Sequence, residues 1–182
     1  MDKQNKIIFF GTPRFAEIIL DILIKNNLIP IAVVTAPDKS AGRKKELISS
    51  PVKILSQQHK ISVLQPINAK SADFIQQIKQ LLPDLIIVAA YGQILPIELL
   101  AIPSSGALNI HPSLLPQYRG ASPIQTAILH NEKTTGVSIM LMDKKMDHGP
   151  LLAQTKINLT LQITYPELTE QLARLGGDLL VR

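Results

Sequence analysis

The sequence predicts a doubly wound α/β fold, a mostly parallel sheet with helices on both faces. Three observations predict it. Short β-branched and aromatic runs alternate with amphipathic segments along the whole chain. The connections between successive strands are long enough for parallel crossovers. The most apolar run, Asp84 to Ala90 (DLIIVAA), is continuous rather than alternating, as in a central parallel strand covered on both faces. A chain of 182 residues, 46% hydrophobic and 18% charged, builds one such domain without disulfide or metal staples.

The elements follow in order. Lys6 to Phe10 (KIIFF) reads as a buried strand ended by Gly11-Thr12-Pro13. In Arg14 to Asn26, residues Phe15, Ile18, Ile19, Ile22 and Leu23 fall on one helical face, with Thr12 as the expected cap and Pro13 in the first turn. Ile31 to Thr35 is the second strand, and Ala36 to Ser50 is expected to be a loop carrying a basic cluster. Pro51 to His59 reads as a short helix, Ile61 to Leu64 as a strand, and Ser71 to Leu82 as a helix. After the central strand come a strand at Gly106 to Ile110 and a helix at Ser122 to Asn131. Two more strands, Val137 to Met142 and Leu151 to Leu159, precede a helix at Tyr165 to Val181. That helix carries no stop signal before Arg182, the pattern expected of a piece of something longer.

Composition narrows the chemistry. The absence of cysteine excludes thiol nucleophiles, thiolate zinc sites, iron–sulfur clusters and disulfides. No glycines are spaced as GxG, and no P-loop, GxSxG elbow or HExxH helix occurs. Met1 to Lys6 is polar, and no apolar run approaches the roughly 20 residues that span a bilayer, so a soluble cytoplasmic domain without membrane association is expected. Net charge is +5. Much of it sits in one segment, where Lys39, Arg43, Lys44, Lys45 and Lys53 face only Asp38 and Glu46. That segment is either a solvated loop or a patch for an anionic partner.

The chemistry-bearing stretch is Leu108 to Pro123. Asn109 and His111 stand two apart at the end of a predicted strand, so they share one face, and Pro112 ends the strand. In doubly wound sheets ligands bind at the carboxyl ends of strands. A second segment, Met142 to Pro150, lies between two predicted strands and is placed at the same active edge. Within it Asp147 either partners His111, favouring the charged imidazole, or simply opens a turn with Gly149 and Pro150.

The run Asn109-Ile110-His111-Pro112-Ser113-Leu114-Leu115-Pro116, followed by Asp147-His148-Gly149-Pro150, resembles the folate-dependent formyltransferases, whose fold is Rossmann-like. Phe10-Gly11-Thr12-Pro13, the loop Pro37 to Arg43, Ser50 to Lys53 and Ala90-Tyr91-Gly92 are similar to the members that formylate methionyl-tRNA. The resemblance implies formyl transfer from 10-formyltetrahydrofolate to the α-amine of initiator methionyl-tRNA. It implies Asn109, His111 and Asp147 as the catalytic set. Ser113, Leu114, Leu115 and Pro116 become a wall of the folate site, with Ala90, Tyr91 and Gly92 near the pterin. Lys39, Arg43, Lys44 and Lys45 become the contact to the tRNA acceptor end.

On this reading residues 1–182 are a catalytic domain, monomeric and without metal, and the family's carboxy-terminal β-barrel that helps hold tRNA lies outside it. His148 stands where threonine is common in the family, so its role is open. The alternatives are a formyltransferase for a small amine, such as a glycinamide nucleotide, or a folate- or RNA-binding module without catalysis.

Overall fold

The computed structural model describes residues 5–41, 46–160 and 162–182. The chain runs β1 (Ile7–Gly11), α1 (Arg14–Lys25), β2 (Ala32–Val34), β3 (Lys39–Ala41), β4 (Glu46–Ile48), α2 (Pro51–Gln58), β5 (Ser62–Leu64) and α3 (Ala72–Leu81). It continues through β6 (Leu85–Ala89), α4 (Ile97–Leu100), β7 (Ala107–His111), α5 (Pro123–Leu129), β8 (Thr134–Leu141), β9 (Leu151–Asn158) and α6 (Tyr165–Leu180). Seven strands form one sheet in the order β5-β2-β1-β6-β7-β8-β9. The first five are parallel, whereas β8 and β9 are antiparallel additions at one edge. The apolar run at Leu85–Ala89 takes the central position, as its continuous burial requires.

The alternation of strand side chains builds two cores. Ile7 and Phe9 face a layer that includes α1, α2 and α6, while Ile8 and Phe10 face α3 and α4. Each fully buried side chain of this size contributes roughly 1.5–3 kcal/mol, so the four in β1 alone anchor both layers. Helix starts follow local chemistry. Ser50 and Ser71 accept the N–H of Lys53 and Phe74, and Thr164 with Glu167 forms a reciprocal capping box.

Several expectations are corrected. Thr12 does not cap α1, whose N-cap is Pro13 without a side-chain bond. Instead the Thr12 hydroxyl donates to the Tyr91 carbonyl (3.0 Å) and accepts the Ala36 N–H (3.3 Å). It thereby ties together the segments leaving β1, β6 and β2, where the strand order reverses. The expected loop at 36–50 contains the antiparallel pair β3–β4. Its base is fixed by Lys53, which pairs with Asp38 at 2.6 Å, while Gln65 bonds Asp38 and the Ala36 carbonyl. The Asp38 carboxyl is held below its usual range by Lys53 and then Gln65. Lys53 is thus neutralised within the fold rather than added to the basic cluster. Strand β8 begins at Thr134, three residues before the expected Val137, because Gly136 lets it lie close against Thr155 of β9. The single turn α4 was not expected at all.

That short helix matters for the site. It covers only part of its face of the sheet, and a cleft opens over the remainder of β6, β7 and β8.

Candidate active site

Strand β7 places the first two site residues. Its Ile110 points into the α1–α6 core, so Asn109 and His111 point to the opposite face and into the cleft. Asn109 sits between Val88 of β6 and Met140 of β8 in register. Pro112 then ends the strand.

Asp147 arrives by a different route from the one expected. Because β8 is antiparallel to β7, its Leu141 pairs with Leu108, and the following turn leaves from the amino end of β7 rather than the carboxyl edge. The turn folds back over the sheet face. Gly149 allows this, since a Cβ there would run into the carbonyl oxygen of Leu141. Asp147 itself adopts φ +48°, a left-handed conformation that costs an ordinary residue roughly 1–2 kcal/mol. Asp147 thus lies within a turn and close to the imidazole.

The three side chains converge. Asn109 Nδ2 donates to Asp147 Oδ1 (3.2 Å), and the Gly120 N–H donates to Asp147 Oδ2 (2.8 Å). His111 Nδ1 lies 3.6 Å from Asp147 Oδ1, with the two side chains only 5% and 9% exposed. His111 Nε2 lies 2.9 Å from the Tyr118 carbonyl. A carbonyl only accepts, so Nε2 carries a hydrogen and Nδ1 is the atom that faces Asp147 and the cleft. Tyr118 and Gly120 both have positive φ, as does Ala90 across the cleft. Strained backbone of this kind is stored where surrounding structure holds it in place.

The cleft has a volume of about 480 Å³, with walls from Ala90 to Leu95, Met140 and Met142 beside the three polar residues. A second cleft of about 500 Å³ lies between the start of α1, the start of α5 and α6. Ala90, Pro112, Ala121 and Pro123 line both, so the two cavities adjoin at the residue after His111.

Ala90, Tyr91 and Gly92 line the first cleft, but the Tyr91 ring points away into the core. It packs edge-on against Phe10 at 5.3 Å, burial pushes its phenol up to about 12, and its hydroxyl has no hydrogen-bond partner among the described residues. An unsatisfied buried hydroxyl costs about 1–3 kcal/mol. Tyr91→Phe should accordingly raise Tm by about 2–4 °C per kcal/mol recovered. Thermal unfolding of the variant checks this, and a lowered Tm would mean that the hydroxyl is satisfied.

Ser113, Leu114, Leu115 and Pro116 do not line the cleft, whose wall passes from Pro112 to Gly120. They are held from behind. The Ser138 hydroxyl donates to the Ser113 carbonyl (2.6 Å) and accepts from Leu115 N–H (3.0 Å) and Gln154 Nε2 (2.8 Å), while Gln154 also reaches the Leu115 carbonyl (2.9 Å). One donor and two acceptor sites are the whole capacity of a hydroxyl, so Ser138 is fully used. Ser138 and Gln154 are cross-strand neighbours on β8 and β9. Neither was anticipated from the sequence: Ser138 is buried in β8, but Gln154 lies on the exposed phase of β9 and looks like any surface strand residue.

His148 does not join Asp147. It lies at the exposed mouth with Nδ1 3.4 Å from Asp143. The Asp143 carboxyl is held below its usual range, chiefly by the Lys145 backbone N–H and also by His148. Among the described residues no group of three His, Asp or Glu is placed to hold a metal ion. Lys39 is exposed on β3, and Arg43, Lys44 and Lys45 lie outside the described residues. No helix among the described residues is long and apolar enough to cross a membrane.

Residues 5–182 match the family described as formyl transferase. The chain is 46% identical over 176 residues to a methionyl-tRNA formyltransferase of Syntrophus aciditrophicus, covering 97% of this chain and 56% of that protein. It is 46% identical over 175 residues to the methionyl-tRNA formyltransferase of Clostridioides difficile, covering 96% and 57%. The chain thus spans a little over half the length of these relatives. Among solved structures, it superposes on a phosphoribosylglycinamide formyltransferase from Bacillus halodurans with a TM-score of 0.79 at 25% identity, covering 97% of this chain and 91% of that one. A sugar N-formyltransferase from Shewanella shares the fold with a TM-score of 0.70 at 22% identity, covering 98% and 68%.

Proposed function

The chain belongs to the formyl transferase family, and we propose that it moves a formyl group from 10-formyltetrahydrofolate to the α-amine of methionyl initiator tRNA. The observation that carries this reading is a cleft lined by Asn109, His111 and Asp147 that adjoins a second cleft at Ala90, Pro112, Ala121 and Pro123. A group transfer between two large substrates needs two cavities that join at the reacting atoms. The cleft over β6–β8, with apolar walls at Val88, Leu95, Met140 and Met142 and polar groups at Gln93, Asp143, Lys144 and Lys145, suits a heteroaromatic donor that also carries polar groups. The second cleft receives the acceptor.

Attack of an amine on the formamide carbon creates a tetrahedral intermediate carrying an oxyanion. Donors aimed at that oxygen are the largest single source of rate. The second N–H of the Asn109 amide supplies one donor, and His111 Nδ1–H supplies another when the ring is charged. Asp147 faces that nitrogen and takes the proton that the attacking ammonium must lose. Collapse of the intermediate breaks the bond to N10 of the folate, which leaves with the second proton lost by the attacking nitrogen, and yields the N-formyl amide and tetrahydrofolate. Ser113 to Pro116 serve this site through backbone position, held by Ser138 and Gln154. No metal takes part, and the protein acts as a cytoplasmic monomer.

The basic segment from Lys39 to Lys45 supports tRNA as the acceptor. Lys39, Arg43, Lys44 and Lys45 offer positive charge to phosphates, and the planar guanidinium of Arg43 also stacks on unpaired bases at an acceptor end. For every phosphate that a variant no longer neutralises, the slope of log binding against log salt should fall by roughly 0.7–0.9. Arg43→Ala and the Lys44→Ala/Lys45→Ala double variant should weaken tRNA binding and flatten that slope, with folate affinity unchanged. Arg43→Lys should recover only part of the binding. Equal slopes and affinities in all variants would remove the segment from tRNA recognition. A turnover assay comparing methionyl-tRNA with a glycinamide nucleotide decides the acceptor.

A further inference from the structure

The loop from Gln117 to Gly120 reaches both halves of the catalytic set. Its Tyr118 carbonyl meets His111 Nε2 at 2.9 Å, and two residues later the Gly120 N–H meets Asp147 Oδ2 at 2.8 Å. Tyr118 presents that carbonyl with φ +55°, a conformation that a bulky aromatic residue does not adopt unless something holds it. Its side chain shows what does. The phenol donates to the Glu132 carboxylate just past α5, lies 3.2 Å from His130 Nδ1, and packs edge-to-face on the His130 ring at 5.6 Å. On the other side of the loop, the Ser113 hydroxyl donates to the Gln117 carbonyl at 2.6 Å.

We propose that Tyr118 is a positioning residue: its phenol, moored on Glu132 and His130, holds the backbone so that its carbonyl fixes a hydrogen on His111 Nε2 and leaves Nδ1 to the reacting atoms. The residue touches no substrate. It decides which ring nitrogen does the chemistry, and through Gly120 it keeps the carboxylate of Asp147 beside that nitrogen. The catalytic consequence rests on the formyl-transfer reading, whereas the effect on the His111 ring does not.

The test therefore reads both. Ring ¹⁵N NMR distinguishes protonated from bare nitrogens, and with four histidines in the chain the His111 signals are assigned by their loss in His111→Asn. In the wild type, His111 should show a hydrogen on Nε2 whenever the ring is neutral. Tyr118→Phe, which removes the mooring hydroxyl but keeps the ring, should mix the two neutral tautomers. In the whole protein it should lower kcat about tenfold with little change in KM for the folate donor, as expected for a misplaced catalytic group. Glu132→Ala should act in the same direction but more weakly, since His130 still meets the phenol. Glu132→Gln, which keeps an acceptor oxygen, should restore most of the rate. A wild-type tautomer pattern in Tyr118→Phe overturns the proposal, even if kcat falls. A shifted tautomer without any measurable formyl transfer by the wild type would retain the positioning role and reject the reaction assigned to the site.

Discussion

His111→Asn should lower turnover by at least ~10², the usual loss when one donor to a developing oxyanion is removed. The effect is expected to be large because the substitution removes a charged donor and leaves a neutral one, and charge-assisted bonds are about twice as strong. The loss should fall on kcat, with folate affinity little changed, since the walls of the cleft are built mainly by other residues. A second consequence is structural. With the imidazole gone, the Tyr118 carbonyl loses its partner, and an unpaired buried acceptor costs about 1–3 kcal/mol. Tm should drop by about 2–4 °C for each kcal/mol. Single-turnover rates measured well below the lowered Tm separate the two effects. A variant with near wild-type turnover would remove His111 from the chemistry.

Asp147→Asn should cost a similar factor of ~10², by a different route. Asp147 accepts from Asn109 and from the Gly120 N–H while facing His111 Nδ1. An amide has one acceptor oxygen and a donor nitrogen, so it must turn a donor toward one of these donors. On the proposed mechanism, the carboxylate that receives the amine proton is lost at the same time. The loss should therefore be only weakly additive with His111→Asn, because each variant removes what makes the other residue useful. The double variant measures this. A fully multiplicative loss would show that the two side chains act independently.

Much of this site was legible in the sequence because its parts announce themselves through side chains. Asn109 and His111 occupy alternate positions on a strand whose end is marked by Pro112. The apolar run of β6 was visible because burial on both faces leaves no polar residue in it. What was missed acts through the backbone or through pairing. Tyr118 holds His111 with a carbonyl, a group every residue carries, so no residue type signals it. Ser138 and Gln154 look like ordinary strand polar residues until β8 and β9 are paired in register. The turn after β8 was assigned to the wrong edge because parallel and antiparallel strands share the same apolar pattern when both are buried. α4 escaped notice because four residues are too few to show a helical period. The hairpin at β3–β4 was hidden for a similar reason, with three residues in each strand.

The brevity of α4 carries one more consequence. In a doubly wound sheet the crossover helix between neighbouring strands normally supplies the apolar layer over them. Here the crossover from β6 to β7 has one helical turn, and the stretch of sheet beyond its reach is lined by Val88, Leu95, Met140 and Met142. On the function proposed above, a bound donor packs over that stretch and extends the apolar layer that α4 leaves short. Occupancy and folding are then linked by mass action, adding about 2.7 kcal/mol of stability when the ligand stands at a hundred times its Kd. On that function the protein holds part of its stability in its own substrate, and it surrenders that part at the release step of every cycle.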